Sequence, residues 1–417
     1  MRYETVIGME VHVELQTASK MFCRCSADHF QVEANAHICP VCTAQPGALP
    51  VINARAMELT AMTGLALHCQ IKHHNVFARK NYTYPDLPKG YQVSQYELPL
   101  CEDGWVEIDG ADGPKKIGVV RVHLEEDTGK LQHAGRSSLI DYNRAGVPLM
   151  EIVTDASIRS ADEAYDYLNK IRQIVRYLGA SSGDMEKGAM RCEANISIRP
   201  EGATEYGTKV EVKNLNSFRA VRSAIAYEVE RQQQVIEEGG QVRQVTMGWD
   251  ETMGVTREQR SKETSEDYRY FPEPDLLDVH LDDEWIEKAR SELPELPAAK
   301  AARFANDYGL NEQDIAVLVE DRAVAAYFEA AAQIDGADPK QVGNWVTGEV
   351  FRRLNEEDAA IADAKVQPTA LVELLSLVKD GAINQNAARE VFAELWEQGG
   401  APGAIVEAKG LKQISDT

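Results

Sequence analysis

The stretches IGVVRVHLEEDTGK (residues 117–130) and DYNRAGVPLMEIVTD (residues 141–155) predict two β-strands, because ionisable and apolar residues alternate in both. Side chains two residues apart lie on the same face of a β-strand. In the first stretch this rule predicts an ionisable face and an apolar face, formed respectively by Arg121, His123, Glu125 and Asp127 and by Val120, Val122 and Leu124. In the second, Glu151 is a single carboxylate on a face shared with Leu149 and Val153.

Similar alternation occurs elsewhere in the first two thirds of the chain. It predicts three further strands, at residues 5–15, 191–199 and 208–213. The first of these carries Glu10, His12 and Glu14 on one face. Two amphipathic helices are predicted at residues 160–178 and 218–238. Ser160 and Glu163 have the spacing of a capping box at the start of the first helix. Strands interleaved with such helices predict an α+β fold in which helices cover an antiparallel sheet.

The pattern changes near residue 291, where LPELPAAK has the composition of a linker. Beyond it the chain is rich in alanine and glutamate with helical spacing. We expect a bundle of helices near 298–308, 311–320, 323–335, 340–355, 368–379 and 385–397. The predicted domains are a catalytic domain at 1–292 with an insert at 20–45, an all-α helical domain at 293–405, and the start of a further unit at 406–417.

Composition limits the classes of function. The formal net charge of -23 argues against nonspecific binding of polyanions by the whole surface, so any contact with nucleic acid must be local. The N-terminal segment lacks a basic stretch followed by an apolar core, and no apolar run approaches the length of a membrane span. We therefore expect a soluble cytoplasmic protein.

Cysteine spacing predicts a metal site. Four of the seven cysteines form a C-x-C pair and a C-x-x-C pair, namely Cys23, Cys25, Cys39 and Cys42. Two close pairs of thiolates can complete a tetrahedral zinc site, and four protein ligands leave no open position for catalysis. We therefore expect structural zinc. An iron–sulfur cluster is the alternative, and His29 and His37 are alternative ligands.

The segment RKNYTYPDLPKGYQVSQYELP (residues 79–99) is dense in tyrosine, proline and lysine. It predicts a long loop without regular structure. Long ordered loops in compact domains are often functional. Packing of the tyrosines against the edge of the sheet is an equally acceptable interpretation, and the sequence does not favour either.

Glutamates recur on the polar sides of the predicted strands. They are Glu10, Glu125, Glu151, Glu193 and Glu211, accompanied by His12 and His123. Carboxylates about 4 Å apart repel each other by a few kcal/mol, so their convergence would require a cation. Oxygen-rich sites with one imidazole suit Mg²⁺ or Mn²⁺, which commonly bridge phosphate oxygens. No G-x-x-x-x-G-K-[ST] loop is present, so basic residues must hold the phosphates, the options being Arg121, Arg199, Lys209 and Lys213.

Several long strings resemble the B-subunit family of tRNA-dependent amidotransferases. They are LIDYNRAGVPLMEI (139–152), VIGMEVHVEL (6–15), RKNYTYPDLPKGYQVSQYE (79–97), RVHLEEDTGK (121–130), RCEANISIRP (191–200), KVEVKNLNSFR (209–219) and DYRYFPEPD (267–275). The resemblance implies an antiparallel-sheet cradle similar to the glutamine synthetase and guanido kinase fold. It also implies that ATP phosphorylates the side-chain carboxylate of Glu-tRNA(Gln) or Asp-tRNA(Asn), after which ammonia displaces phosphate to form the amide.

The resemblance also implies roles for individual residues. His12, Glu125 and Glu151 would be Mg²⁺ ligands, with Glu10 and Glu211 in the region of a second ion or the nucleotide. A carboxylate is a poor acyl donor until its oxygen becomes a phosphate leaving group, which agrees with this assignment. A family segment that lines an ammonia tunnel is similar to the loop containing Lys80, Tyr82, Asp86 and Lys89.

The source of ammonia implies partner chains. We find no Ser-Ser-Lys amidase arrangement in the sequence, so glutaminase activity must come from another chain. In the family this chain is the amidase-like A subunit, held by the small C subunit in a heterotrimer that binds misacylated tRNA. Family members usually carry a further C-terminal tail domain that reaches the tRNA elbow, and residues 406–417 are expected to be its truncated start.

Two other functions remain open at this point. The chain could be a non-catalytic, zinc-containing tRNA-binding scaffold whose partners perform the chemistry. It could also be a stand-alone metal-dependent ligase or kinase for a small amino acid. ATP turnover that depends on Glu-tRNA and on the glutamates would distinguish these alternatives from the transamidase. The sequence does not decide between Glu-tRNA and Asp-tRNA.

Overall fold

The computed structural model describes residues 2–111, 113–261 and 268–413. The chain divides into two compact units, Met1–Pro294 and Glu295–Thr417. Asp267, which begins the string DYRYFPEPD, and residues 414–417 lie outside the described residues. Among the helices in the described ranges, none combines the length and apolar character that crossing a membrane requires.

A large sheet forms the centre of the first unit. Its strands, and those of three smaller sheets, are β1 (Tyr3–Glu14), β2 (Gln70–Ile71), β3 (His74–Asn75), β4 (Ala78–Asn81), β5 (Tyr91–Ser94), β6 (Cys101–Gly110), β7 (Gly113–Glu126), β8 (Lys130–Ala134), β9 (Ser137–Asp141), β10 (Pro148–Thr154), β11 (Met190–Pro200), β12 (Val210–Leu215), β13 (Val245–Asp250), β14 (Val255–Ser261), β15 (Phe271–Pro272) and β16 (Val279–His280). Within the described residues, nine strands form the central sheet in the order β14-β13-β12-β11-β1-β10-β7-β6-β2. Neighbouring strands in it are antiparallel except β12 and β13.

Helices accompany this sheet. They are α1 (Ala54–Ala66), α2 (Ala161–Tyr177), α3 (Phe218–Glu237) and α4 (Asp283–Ser291). The first three pack against β6, β7 and β11, and fully buried Val11, Met150 and Ile152 lie on the apolar side of the alternating strands. The mixed α and β structure with a large, mainly antiparallel sheet confirms the predicted class of the first unit.

The start of α2 differs in detail from the predicted capping box. The Oγ atom of Ser160 accepts a hydrogen bond from the backbone N–H of Glu163 at 3.1 Å, as expected. The carboxylate of Glu163, however, accepts from the backbone N–H of Arg159 at 2.7 Å and from Lys115 at 2.7 Å. The side chain of Glu163, the third helical residue, therefore binds the backbone N–H of the residue before Ser160. It also links α2 to β7 through Lys115.

The predicted apolar face of β7 is wrong at Val120. Ile117 and Val119 are buried, Val120 is exposed, and Val122 is buried again. The cause is a shift of register against β10 between Val153 and Thr154, where β7 contributes one extra residue. Such a β-bulge reverses the sense of the alternation, so the two halves of β7 bury residues of opposite parity.

Residues 79–99 contain regular structure, contrary to the prediction. Strands β4 and β5 pair as an antiparallel hairpin, with Ala78 opposite Ser94 and Asn81 opposite Tyr91. Residues 82–90 connect the two strands and contain the turn-favouring dipeptides Pro85-Asp86 and Lys89-Gly90. The turn-forming residues therefore mark the connection of a hairpin, and β5 packs against β7.

The second unit consists of helices in the part of it that the structure describes. They are α5 (Pro297–Tyr308), α6 (Glu312–Leu318), α7 (Arg322–Ala332), α8 (Pro339–Trp345), α9 (Phe351–Glu357), α10 (Pro368–Lys379), α11 (Gln385–Gln398) and α12 (Pro402–Lys409), with a π-helical turn at Val346–Val350 and a 3₁₀ turn at Ile361–Asp363. The predicted helix at 340–355 is therefore α8, the π turn and α9 in succession. Aromatic residues fill the core, among them Phe304, Phe328, Trp345, Phe392 and Trp396.

The predicted boundary at residue 406 falls inside α12. Val406 is almost fully buried and belongs to the same hydrophobic core as Leu371 and Leu395. Helix α12 packs against α10 and α11. Residues 402–409 therefore contribute to the core of the second unit.

Candidate active site

Three neighbouring strands bring ionisable side chains to the same level of the central sheet. His12 in β1 lies opposite Glu151 in β10, and Glu151 lies opposite His123 in β7. Directly paired residues of an antiparallel sheet point to the same face, so the three side chains form a row across the strands. Glu125 lies two residues after His123 and points to that face as well.

Two carboxylates and one imidazole of this row lie close enough together to hold one ion. The Nε2 atom of His12 lies 3.6 Å from a carboxylate oxygen of Glu151 and 3.9 Å from one of Glu125. The ligand atoms of the three residues all lie within 4.8 Å of one another. Both glutamates are buried, whereas His12 is partly open to solvent. Two oxygen donors and one imidazole suit Mg²⁺ or Mn²⁺.

Strand β5 holds the carboxylate of Glu125 in position. The Oγ atom of Ser94 donates a hydrogen bond to one carboxylate oxygen at 2.7 Å, and Nε2 of Gln92 donates to the other at 3.2 Å. Gln92 also donates to the backbone carbonyl oxygen of Glu126 at 2.8 Å. Such contacts orient a ligand before an ion arrives.

Positive side chains of the protein balance the two buried glutamates. Burial alone would raise the pKa of Glu125, but the charges of Lys80 and His123 hold it well below its usual range. Burial alone would lower the pKa of His123, but Glu151 and Glu125 raise it to about 9. Burial opposes the charge of Lys80 as well, yet Glu125 raises the pKa of this ammonium group. The chain therefore supplies two cations to this carboxylate pair.

A second acidic group lies further along β1. Glu10 lies opposite Glu193 in β11, and the side-chain amide of Asn195 donates a hydrogen bond to Glu10 at 3.0 Å. Burial raises the pKa of Glu10, and repulsion from Glu151 and Glu193 raises it further. Glu10 therefore lies near both the His12, Glu125 and Glu151 cluster and the acidic residues of β11.

Glu211 belongs to this second group. The Nζ atom of Lys213 lies 2.7 Å from a carboxylate oxygen of Glu193 and 3.7 Å from one of Glu211. Thr246 donates a hydrogen bond to the other oxygen of Glu211 at 2.8 Å. A cavity of about 340 Å³ opens beside Glu10, and its lining includes Lys209. The basic residues Lys209 and Lys213 therefore lie among the acidic residues Glu10, Glu193 and Glu211.

Two of the residues predicted for the ammonia path lie beside Glu125. The charge of Glu125 acts on Lys80, whose Nζ atom lies 5.2 Å from the centre of the Tyr268 ring. The hydroxyl of Tyr82 donates a hydrogen bond to Gln92 at 3.4 Å, and Gln92 in turn contacts Glu125. Lys80 and Tyr82 therefore border the same buried carboxylate.

The other two lie further along the same hairpin. Lys89 forms an ion pair with the buried carboxylate of Glu126, which also accepts a hydrogen bond from the backbone N–H of Val93 at 3.0 Å. Asp86 accepts a hydrogen bond from the backbone N–H of Gly129 at 2.8 Å through its carbonyl oxygen. The structure thus places Lys80, Tyr82 and Lys89 against Glu125 and Glu126, with Asp86 on the connecting segment.

The four clustered cysteines come together as their spacing predicts. The ligand atoms of Cys23, Cys25, Cys39 and Cys42 all lie within 4.8 Å of one another. A hydrogen bond from Cys23 lowers the pKa of Cys42 to about 5, while burial raises the pKa of Cys25 to about 11. Four thiol sulfurs at this spacing fit the ligand set of a structural zinc ion. His29 instead contacts Glu14, and His37 contacts the backbone of Asp28.

The segment around the cysteine cluster contacts residues 142–146, which precede β10. The Nζ atom of Lys20 lies 3.7 Å from the Sγ atom of Cys42 and donates to the carbonyl oxygen of Tyr142 at 3.1 Å. The backbone N–H of Met21 donates to the carbonyl oxygen of Gly146 at 2.7 Å. Gly146 has a positive φ of 86°, which favours glycine at this turn. The insert therefore braces the segment that leads to Glu151.

Two models of known protein families match the chain, one within each of its two compact units. A family model described as the GatB/GatE catalytic domain matches residues 5–287, more than half of the chain. The chain belongs to the GatB/GatE family. A second model, described as a GatB domain, matches residues 326–417.

Curated GatB relatives are similar over nearly the whole chain. A protein of Roseiflexus castenholzii, named as the B subunit of an aspartyl/glutamyl-tRNA(Asn/Gln) amidotransferase, is 53% identical over 420 residues, which cover 99% of this chain and 87% of the relative. A protein of the same name from Thermodesulfovibrio yellowstonii is 52% identical over 417 residues, covering 100% of this chain and 87% of the relative. The resemblance seen in the sequence strings is confirmed.

Several residues of this GatB/GatE site were not predicted from the sequence. Ser94 and Gln92 contact Glu125, but both lie in a segment predicted to be a loop. His123 was noted on the polar face without a role, yet its Nε2 atom lies 3.3 Å from Glu151 and 3.5 Å from Glu125. Alternation in YQVS (91–94) is the signal that could have indicated a strand here.

Proposed function

We propose that this chain is the component of a tRNA-dependent amidotransferase that activates the side-chain carboxylate of Glu-tRNA(Gln) or Asp-tRNA(Asn) with ATP and converts it to the amide. Membership in the GatB/GatE family and relatives above 50% identity that are named as the B subunit of such an enzyme support this proposal. The single observation that carries the chemistry is the approach of His12, Glu125 and Glu151 to within 4.8 Å on one face of the sheet.

In this proposal His12, Glu125 and Glu151 hold Mg²⁺, and Glu10 and Glu211 lie in the region of a second ion or the nucleotide. Such an ion neutralises charge that accumulates on the transferred phosphoryl group. Lys80 and His123 limit the repulsion between the buried glutamates. The likeness of the sheet to the glutamine synthetase and guanido kinase cradle is part of this proposal.

The reaction has two balanced steps. The terminal phosphoryl group of ATP is transferred to an oxygen of the aminoacyl side-chain carboxylate, which gives ADP and an acyl phosphate. The lone pair of ammonia then attacks the acyl carbon, phosphate leaves, and a proton is lost to give Gln-tRNA(Gln) or Asn-tRNA(Asn). A carboxylate oxygen leaves poorly without this activation, so ATP is required.

Ammonia is supplied in this proposal by an amidase-like A subunit, with a small C subunit completing a heterotrimer. Lys80, Tyr82, Asp86 and Lys89 would border its path. The charge interaction of Lys80 with Glu125 supports this role, as does the hydrogen bond from Tyr82 to Gln92, which itself donates to Glu125. The cysteine cluster of Cys23, Cys25, Cys39 and Cys42 would hold structural zinc.

The test measures ADP formation by the reconstituted complex without glutamine or ammonia. Addition of Glu-tRNA(Gln) together with Mg²⁺ is expected to start ATP cleavage, and Glu125→Gln is expected to stop it. A scaffold whose partners perform the chemistry would retain ATP cleavage in the Glu125→Gln complex. Cleavage that proceeds equally without tRNA would instead indicate a ligase for a free amino acid.

A further inference from the structure

A third cluster of metal-ligating side chains lies where the short strands β3 and β16 pair. His74 lies directly opposite His280 across this antiparallel pair. Asp278 precedes His280 by two residues, so both side chains leave the extended chain on the same side. The Nε2 atom of His74 lies 2.9 Å from a carboxylate oxygen of Asp278, and the ligand atoms of all three residues lie within 4.8 Å of one another.

The two imidazoles lie close enough together to share an ion once one ring turns. Their rings are nearly parallel, with centroids 4.7 Å apart and an interplanar angle of 6°. A tetrahedral ion with bonds of about 2.0–2.1 Å requires its ligand atoms to lie roughly 3.4 Å apart, and it lies in the plane of each imidazole that binds it. Because the two ring planes are nearly parallel, at least one ring must turn about its χ2 torsion before both can bind the same ion. His74 and Asp278 are about half exposed, which allows an ion to enter from solvent and water to complete its coordination.

The donor set differs from both sites described above. Two imidazoles and one carboxylate are the ligands of zinc and of the neighbouring divalent transition metals. The cysteine cluster offers four sulfurs, and the His12 cluster offers two buried carboxylates with one imidazole. The spectrum of a bound ion therefore distinguishes this site from the cysteine cluster, and excess Mg²⁺ distinguishes it from the His12 cluster.

We propose that His74, Asp278 and His280 form a surface binding site for a zinc-class divalent ion that clamps the chain near residue 280 to β3. The two strands consist of two residues each, and so short a ribbon is marginally stable without further support. An ion bound by residues from both strands adds a bond between positions that are about two hundred residues apart in the sequence. That bond would close a long loop and thereby stabilise the pairing.

The clamp has a consequence for the candidate active site. The segment before Asp278 adjoins the β4–β5 hairpin as the edge strand β15, which pairs with β4. The backbone N–H of Asn81 donates to the carbonyl oxygen of Tyr268 at 2.9 Å, and Arg79 forms a double hydrogen bond with Glu273 at 2.8 Å. Tyr268 lies beside Lys80. Ion binding at residue 280 would therefore favour the position of the segment that contains Tyr268, beside Lys80.

The experiment titrates Co²⁺ into the full chain with zinc already present in the cysteine cluster and excess Mg²⁺ in the buffer. We expect one equivalent of Co²⁺ to bind with the visible spectrum of nitrogen and oxygen ligands, without thiolate charge-transfer bands, and to raise the unfolding temperature. His280→Ala and Asp278→Asn are each expected to weaken this binding by at least about 10-fold. Zinc titration of the same samples should give the same stoichiometry.

His133→Ala is the matched control, since His133 is also an exposed histidine of a short hairpin and contacts Ser138 at 3.1 Å. It should bind Co²⁺ as the parent protein does. Because the substituted residues are exposed, unfolding temperatures without Co²⁺ should agree among all four proteins. If His280→Ala and Asp278→Asn, both folded, bind Co²⁺ as tightly as the parent protein, or if the parent protein binds none, the proposal is wrong.

Discussion

The Nε2 atom of His123 lies 3.3 Å from the Oε2 atom of Glu151 at the centre of the sheet. The same nitrogen lies 3.5 Å from Glu125, so one buried imidazole contacts both carboxylates that we propose as ion ligands. Their negative charges raise the pKa of His123 to about 9 against the effect of burial. The sheet can therefore hold two glutamates close together because a cation of its own lies between them.

The first prediction concerns Glu151 itself. Glu151→Gln keeps the size of the side chain but removes the charge that would hold an ion near the transferred phosphoryl group. We expect the complete assembly to lose at least about 10²-fold in amidation rate, both with glutamine and with free ammonia, as is typical when one electrostatic contact to the transition state is removed. Glu107→Gln, an exposed glutamate of β6, should retain activity. Ammonia-dependent amidation at the parent rate would contradict the proposed role.

Lys89 provides a prediction with a different kinetic signature. Its ion-pair partner is buried Glu126, which is not a member of the His12, Glu125 and Glu151 cluster. Lys89→Met leaves the buried carboxylate of Glu126 without its ion-pair partner, and we expect the resulting displacement of side chains to lower glutamine-dependent amidation about 10-fold or more. Amidation with saturating free ammonia should stay close to the parent rate. Equal loss with both donors would show that Lys89 does not act on ammonia transfer, and Lys130→Met on exposed β8 is the control.

Removal of one cysteine tests the zinc assignment. Cys39→Ser should abolish binding of one zinc ion per chain, measured by elemental analysis of the purified protein. Because Lys20 links this cluster to Tyr142, we also expect faster proteolysis within residues 20–50. Cys69→Ala, which alters a buried cysteine outside the cluster, should leave the zinc content unchanged. Iron in place of zinc in the parent protein would support the iron–sulfur alternative.

A prediction on pH concerns the second unit. Hydrogen bonds from Arg303 and Lys300 lower the pKa of Glu295 to about 2. A carboxyl group with a lowered pKa stabilises the fold above its unfolded pKa of about 4.3, and this contribution is lost as the pH falls through about 2. Glu295→Gln should therefore lower the free energy of unfolding by about 1 kcal/mol at pH 7, and by less at pH 2.

The check is urea unfolding of the parent and Glu295→Gln proteins at both pH values. Asp335→Asn, which alters another exposed carboxylate of this unit, controls for the change in net charge. A difference between parent and variant that grows as the pH falls would have the wrong sign for this interpretation.

Much of the fold follows from local pattern. Alternation placed Glu10 and His12 on the polar side of β1, and helical spacing together with Ser160 marked the start of α2. These features depend on neighbours within a few residues, so the sequence carries them directly. The approach of His12 to Glu125 depends on strand order, which the strings of the family suggested and local pattern did not.

The remaining differences have non-local causes. The bulge between Val153 and Thr154 exposes Val120, because a register shift depends on the partner strand and leaves no mark in the alternation of β7 alone. The β4–β5 hairpin was predicted as a loop, because the prolines in residues 82–90, which connect its strands, are typical of irregular structure. Ser94 and Gln92 become visible as partners of Glu125 only when that hairpin is packed against β7.

In the proposed function, His12, Glu125 and Glu151 together hold a divalent ion that serves phosphoryl transfer. Anomalous diffraction from crystals grown with Mn²⁺ and ADP tests it most directly. We predict a manganese peak within about 2.5 Å of ligand atoms of all three residues, next to the terminal phosphate of the nucleotide. Manganese and nucleotide bound elsewhere, with no peak among these three side chains, would show that the three residues do not hold the ion.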